Sequence, residues 1–180
     1  MHRPFDGANT TCYLAQFFNA VYVLDGDASD PTSVYIYDAG AKSWSKQAVS
    51  PGGPDPNDLV AILDHDTNVF YALSKGELYF IDFGQLKSAN TTALSWVDVG
   101  QSPYGADYQP VMGLAQNHIH FLDVPNTPAG DADIFVIHCG FHALNVAVYV
   151  LTTTLYSFLL PTSAATLPSP RRRPDPRDAW

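Results

Sequence analysis

Histidine recurs two residues apart in His118-Ile119-His120, inside an apolar run that reads as a β-strand. Alternate strand residues share a face, so both imidazoles can reach one metal ion. A metal centre needs further ligands. His138, Asp133 and the tyrosines are candidates, but no spacing ties any of them to the pair. The competing reading is a pair of surface or inter-unit histidines that happen to alternate, and no metal or other cofactor is assigned. Asp25-Gly26-Asp27-Ala28-Ser29-Asp30 and Asp64-His65-Asp66-Thr67-Asn68 alternate oxygen side chains as calcium loops do, but neither ends in a bidentate Glu. Asp, Asn and Gly also build hairpin turns directly, and the turn reading is preferred. Asp55, Asp58, Asp64 and Asp66 are candidates for a glycosidase carboxylate pair. Their place in a linker and a hairpin marks them instead as solvated loop acids. The chain has no Gly-x-Ser-x-Gly elbow, P-loop or dinucleotide fingerprint, so no catalytic residue is assigned.

The elements that must position these residues come round three times. Val21–Asp25, Val69–Leu73 and Ile119–Asp123 align at offsets of 48 and 50 residues. A second strand follows each, at 34–38, 78–82 and 134–138. Trp44 and Trp96, 52 residues apart, close the first two units. Further strands are expected at 12–18, 59–63 and 111–115, and outer strands at 44–49 and 95–99. A third unit should end in a similar outer strand, and none is legible after residue 138. Several short strands recurring with a period near 50 are the signature of β-propeller blades, which bury their faces only against neighbours.

Composition agrees. Seventeen of the 18 acidic residues are Asp, Glu77 being the single Glu, and 14 Pro and 12 Gly accompany them. Asp favours turns and caps where Glu favours helices, so the chain reads as strands and loops. A net charge of −9 argues against nucleic acid and anionic membranes as partners. Cys12 and Cys139 are far apart, and nothing in their spacing decides between a disulfide and two isolated buried thiols. Asn9-Thr10-Thr11 and Asn90-Thr91-Thr92 are N-glycosylation sequons, which place Asn9 and Asn90 on surface loops of a secreted protein.

The first unit resembles a kelch repeat. Kelch blades carry an apolar strand ending in a glycine doublet, then a Tyr and, after six intervening residues, a Trp. Tyr37 and Trp44 have that spacing, although Asp25-Gly26 stands where Gly-Gly is usual. In the second unit Ile81 replaces the Tyr, and the third has neither doublet nor Trp. The aromatic-rich, Asp-rich style is similar to fungal secreted or surface kelch-type proteins related to the galactose oxidase propeller domain. The resemblance implies an all-β fold of about three consecutive four-stranded kelch-like blades, about 12–50, 55–100 and 105–138. It also implies that Tyr37, Trp44 and Trp96 pack between blades. The function it implies is a binding scaffold that presents loops such as 25–33 and 125–133 to a protein or glycan. Its alternative is a non-catalytic piece of an extracellular galactose-oxidase-like or glycan-active enzyme.

Residues 139–180 differ in character. Residues 1–138 carry a net charge of −11 and residues 139–180 one of +2. Three readings apply to this tail. The uncharged stretch 143–160, followed by three arginines, is a short membrane anchor, which would make a membrane-anchored surface protein. The tail is foreign to the fold, as a retained intron or shifted frame would make it. Or a strand pair within it completes the third unit. No signal peptide is visible. The parent protein is nevertheless expected to be extracellular or at the cell surface, this chain being a truncated form. An unclosed set of blades leaves apolar faces and strand edges wet, so self-association is expected of it.

Overall fold

A computed structural model describes residues 3–115 and 118–126, together with the strands at 135–138 and 148–149. The protein is all-β, built from three antiparallel four-stranded sheets with simple up-and-down order. The first contains β1 (Thr11–Ala15), β2 (Ala20–Leu24), β3 (Val34–Asp38) and β4 (Ser43–Gln47). The second contains β5 (Val60–Asp64), β6 (Val69–Ser74), β7 (Glu77–Asp82) and β8 (Val97–Gln101). The third contains β9 (Val111–Ala115), β10 (His118–Leu122), β11 (Phe135–His138) and β12 (Val148–Tyr149). No closed ring of sheets forms among the described residues.

Hydrogen-bond register corrects the repeat offset. The β1–β2, β5–β6 and β9–β10 hairpins close at Ala15↔Ala20, Asp64↔Val69 and Ala115↔His118. The next ladders begin at Ala20↔Asp38, Val69↔Asp82 and His118↔His138. Ala20, Val69 and His118 are therefore equivalent, and both steps are 49 residues (69 less 20, and 118 less 69). The offsets of 48 and 50 each slipped by one, which in a strand exchanges the two faces. A sequence marker of the correct register exists. Asn19, Asn68 and Asn117 recur every 49 residues, immediately before the second strand of each unit. Asn19 and Asn68 have φ of 50° and 62°, left-handed backbone that Asn tolerates better than most residues. Their carbonyls accept from equivalent donors, the Ala39 and Phe83 N–H groups, at 2.9 and 3.1 Å.

Other boundaries moved little. The strand expected over 12–18 ends at Ala15, and residues 16–18 make a 3₁₀ turn. The outer strand expected at 95–99 lies at 97–101. The third unit does have a fourth strand: Val148 and Tyr149 pair antiparallel with Ile137 and Val136. That agrees with the strand-pair reading of the tail at these two residues. The rest of the apolar stretch 143–160 lies outside the described residues. Among the described residues no helix is long and apolar enough to cross a membrane.

The sheets stack face to face. Ala20, Tyr22, Leu24, Val34 and Ile36 of the first sheet pack against Leu63, Phe70, Ile81 and Phe83 of the second. The opposite face of the second sheet, Val69, Tyr71, Leu73, Leu78 and Phe80, packs with Tyr108, Ile119 and Phe121 of the third unit. By register the Tyr22 face is equivalent to the Tyr71 face, and the Val21 face to those of Phe70 and Ile119. The middle sheet is covered on both sides, so all six residues of β6 are buried. This explains why β6 reads as a continuous apolar run, not an alternation. Burying an aromatic of this kind contributes about 2–3 kcal/mol.

Candidate functional site: a polar groove where the first strand of each sheet begins

β1, β5 and β9 are the first, edge strands of their sheets and contact one another in succession. Where they begin, they leave a groove of about 460 Å³. Its walls come from all three units: Asn9, Thr11 and Asp25 from the first, Asn57 and Asp58 from the second, and Gln109 from the segment entering the third. Tyr13, Leu24, Pro56 and Leu59 complete its lining.

Local structure fixes these side chains. Asp55 caps the 3₁₀ turn Pro56–Asp58 by accepting from the Asn57 N–H at 3.0 Å, and Lys75 pairs with it at 2.6 Å. The Lys75 ammonium holds the Asp55 carboxyl below its ordinary pKa. Asp58 accepts from the Lys75 N–H at 2.6 Å and from Gln109 Nε2 at 2.7 Å, tying the second unit to the third. Tyr13 donates its hydroxyl to the Ala61 carbonyl at 3.2 Å and sets its ring edge-on to Phe70 at 4.9 Å. Burial pushes its pKa up to about 12, so the phenol is neutral at physiological pH. Asp25 sits at φ 49°, and burial raises its carboxyl pKa. The groove thus offers amide, hydroxyl and carboxyl groups on a rigid frame. That is a hydrogen-bonding surface for a polar, largely uncharged ligand.

Of the residues singled out by sequence, Asn9, Asp25 and Asp58 line the groove, and the others fall elsewhere. Asn9 is exposed at the groove, with the Thr11 hydroxyl donating to its carbonyl at 3.3 Å. Asn90 is also exposed. Its side-chain oxygen accepts from the Thr92 N–H at 2.9 Å, and its own N–H donates to the buried Gln47 Oε1 at 2.9 Å. Tyr37 and Trp44 are opposed on β3 and β4, ring centroids 5.0 Å apart, on the face of the first sheet that points away from the second. Phe5 covers Trp44 edge-on at 5.4 Å. Trp96 packs at the junction of the first two sheets, beside the parallel bridge Val49↔Leu94.

His118 and His120 are half-buried on one face of β10, ring centroids 6.3 Å apart. No group of three or more potential ligands forms among the described residues. The side chains of Asp133 and His138, and loop residues 127–133, lie outside the described residues.

The acidic loops act as turns. Asp27 accepts from Ser29 N–H at 2.9 Å, Ser29 Oγ at 2.6 Å and Asp30 N–H at 3.1 Å, and Lys46 pairs with it at 2.6 Å. These donors, Lys46 foremost, hold its carboxyl far below the usual range. Asp64 is 1% exposed, not a solvated loop acid, and accepts from Asp66 N–H at 3.1 Å and Thr67 Oγ1 at 2.6 Å. Cys12 is a free thiol, exposed and not buried. Sequence reading missed Thr11, Asn57 and Gln109 as site residues. They bear no motif, and only the convergence of three strand starts brings them together. No family model, curated protein or solved structure matches this chain.

Proposed function

We propose that this chain is part of a kelch-type propeller scaffold that binds a glycan in the groove where the first strand of each sheet begins. The observation that carries this reading is the groove's lining, with amide, hydroxyl and carboxyl side chains from three units beside the apolar Leu24, Pro56 and Leu59. Sugar hydroxyls both donate and accept. Asn9, Asn57 and Gln109 amides and the Asp25 carboxyl offer the complementary groups, and Leu24 and Leu59 suit the apolar face of a pyranose. The three sheets in one repeating orientation, each too small to bury its faces alone, support the blade reading. The loop 25–33 and the linkers 50–59 and 101–110 emerge at the same end as the groove, so a larger ligand meets them together. On this reading the parent protein is secreted or surface-exposed.

A panel of neutral oligosaccharides titrated into the ¹⁵N-labelled chain tests the proposal. Binding should shift the amides of Thr11, Asp25, Asn57 and Gln109 together. Asn57→Ala should weaken it at least about tenfold, about 1.4 kcal/mol. Asp66→Ala, at the opposite hairpin end, should leave it unchanged. Shifts scattered over the surface, or confined to the Leu14 and Phe17 side, would overturn it.

A further inference from the structure

The groove continues beyond its polar lining. Four of its residues, Leu24, Asp25, Pro56 and Leu59, also line a narrow slot of about 20 Å³ between the first two sheets. Val49, Pro54 and Trp96 add apolar walls to it. One water-sized probe takes about 10–15 Å³, so the slot admits a single group of the size of a water molecule or a methyl.

Local structure holds these walls. After β4 the chain runs beside the segment that leads into β8. Ser50 N–H donates to the Leu94 carbonyl at 2.7 Å, and Leu94 N–H to the Ala48 carbonyl at 3.0 Å. The resulting bridge between Val49 and Leu94 brings Trp96 alongside the linker. A Cβ on Gly53 would collide with the Trp96 ring, so the linker backbone lies directly against the indole. Leu24 and Pro54 are buried. Thr32, a polar member of the slot, already donates its hydroxyl to Asp30 at 2.9 Å. A sugar hydroxyl pushed among such walls would give up its water partners at a cost, whereas a methyl gains by entering. Asp25 belongs to both the slot and the groove. No cation or donor among the described residues offsets the burial that raises its carboxyl pKa.

We infer that the slot is a subsite for the acetamide methyl of an N-acetylhexosamine, with the acetamide N–H donating to the Asp25 carboxyl. This rests on the glycan reading of the groove and names the class of sugar. An acetamide joins a methyl to an N–H donor in one small planar unit, which matches a methyl-sized apolar slot with a carboxyl at its edge. A deoxy sugar brings the methyl without the donor. An unmodified hexose offers only hydroxyls to the apolar walls.

The test titrates the full chain with cellobiose and with N,N′-diacetylchitobiose, which differ only in carrying a hydroxyl or an acetamide at C2. The acetamide sugar should bind at least about tenfold more tightly, from one buried methyl and one hydrogen bond to a charged group. An isotope-filtered NOE should connect its acetyl methyl to the Trp96 indole and the Val49 methyls, a readout that needs no substitution. Asp25→Asn tolerates the left-handed backbone at φ 49° and should reduce the preference to under about threefold. Equal affinity for the two sugars, with the Thr11, Asn57 and Gln109 amides shifting, would overturn the slot and leave the glycan reading standing. NOEs from the methyl to other side chains alone would do the same. If neither sugar binds while another neutral oligosaccharide does, the slot assignment is again overturned. No binding by any oligosaccharide would overturn the glycan reading with it.

Discussion

The second and third sheets carry the same repeat but finish their surfaces differently. β6 is buried at every position, because its Phe70 face meets the first sheet and its Tyr71 face meets the third. In β10 burial alternates, with Ile119 and Phe121 buried and His118 and His120 only half-buried. The lesson is that a repeat face is apolar where another sheet follows it. The third sheet's equivalent face has been given to imidazoles. The first sheet shows the complementary end, since its outward face carries Tyr37 and Trp44 and borrows Phe5 as partial cover.

The largest effect should come from breaking the doubly covered sheet. Phe70 is 0% exposed and contacts the Tyr13, Tyr22 and Phe83 rings. Phe70→Ala should cost about 3–5 kcal/mol in chemical denaturation. His120→Ala, at the face that no described sheet covers, should cost under about 1 kcal/mol. A cost for His120→Ala approaching that of Phe70→Ala would erase the contrast. Next in size is Asn68→Ala, which loses both a left-handed backbone preference and the side-chain bonds to Tyr22 Oη at 2.6 Å and Gly84 O at 2.9 Å. It should cost about 2–4 kcal/mol. Asn68→Gly, which keeps the backbone freedom, should recover about 1 kcal/mol of that.

Smaller effects follow pH. Asp27 has a depressed folded pKa because Lys46 and the Ser29 and Asp30 donors favour its charged form. Its contribution is present above the ordinary carboxyl pKa of 3.8 and is lost as pH falls below it. Lys46→Met should flatten that acid limb of the stability profile. Tyr13 and Tyr108 have folded pKa values pushed up to about 12 by burial. The unfolded chain therefore ionises first, and stability should fall as pH rises from 10 towards 12. Tyr13→Phe should lessen that alkaline loss. The smallest effect concerns Asn9: a glycan attached at this exposed groove residue should block ligand binding without changing the melting temperature.

Much of the fold was legible because strands and turns write themselves locally. Val34–Asp38 and Val111–Ala115 match the expected strands residue for residue. The Ser74-Lys75-Gly76 turn closes a two-residue hairpin whose φ values of 50° and 81° require a Gly-tolerant site. The register was not legible from apolar runs alone. β6 is buried on both faces, so its pattern has no alternation to fix which residue faces which way. The Asn19, Asn68, Asn117 spacing held that information. The fourth strand of the third unit was hidden because Val148–Tyr149 is only two residues long and carries no Trp. The groove was least legible of all. Thr11, Asn57 and Gln109 are unremarkable singly and acquire meaning only where β1, β5 and β9 begin side by side.

The account stands on the first two sheets packing through the Tyr22 face and the Phe70 face. A double-mutant cycle between Tyr22→Phe and Asn68→Gly tests this most directly. Tyr22 Oη accepts from Asn68 Nδ2 at 2.6 Å and donates to the Leu86 carbonyl at 2.7 Å across that junction. The cycle should give a coupling of about 1 kcal/mol or more. Additive costs, with coupling near zero, would mean that the two side chains do not meet and that the stacked repeat is wrong.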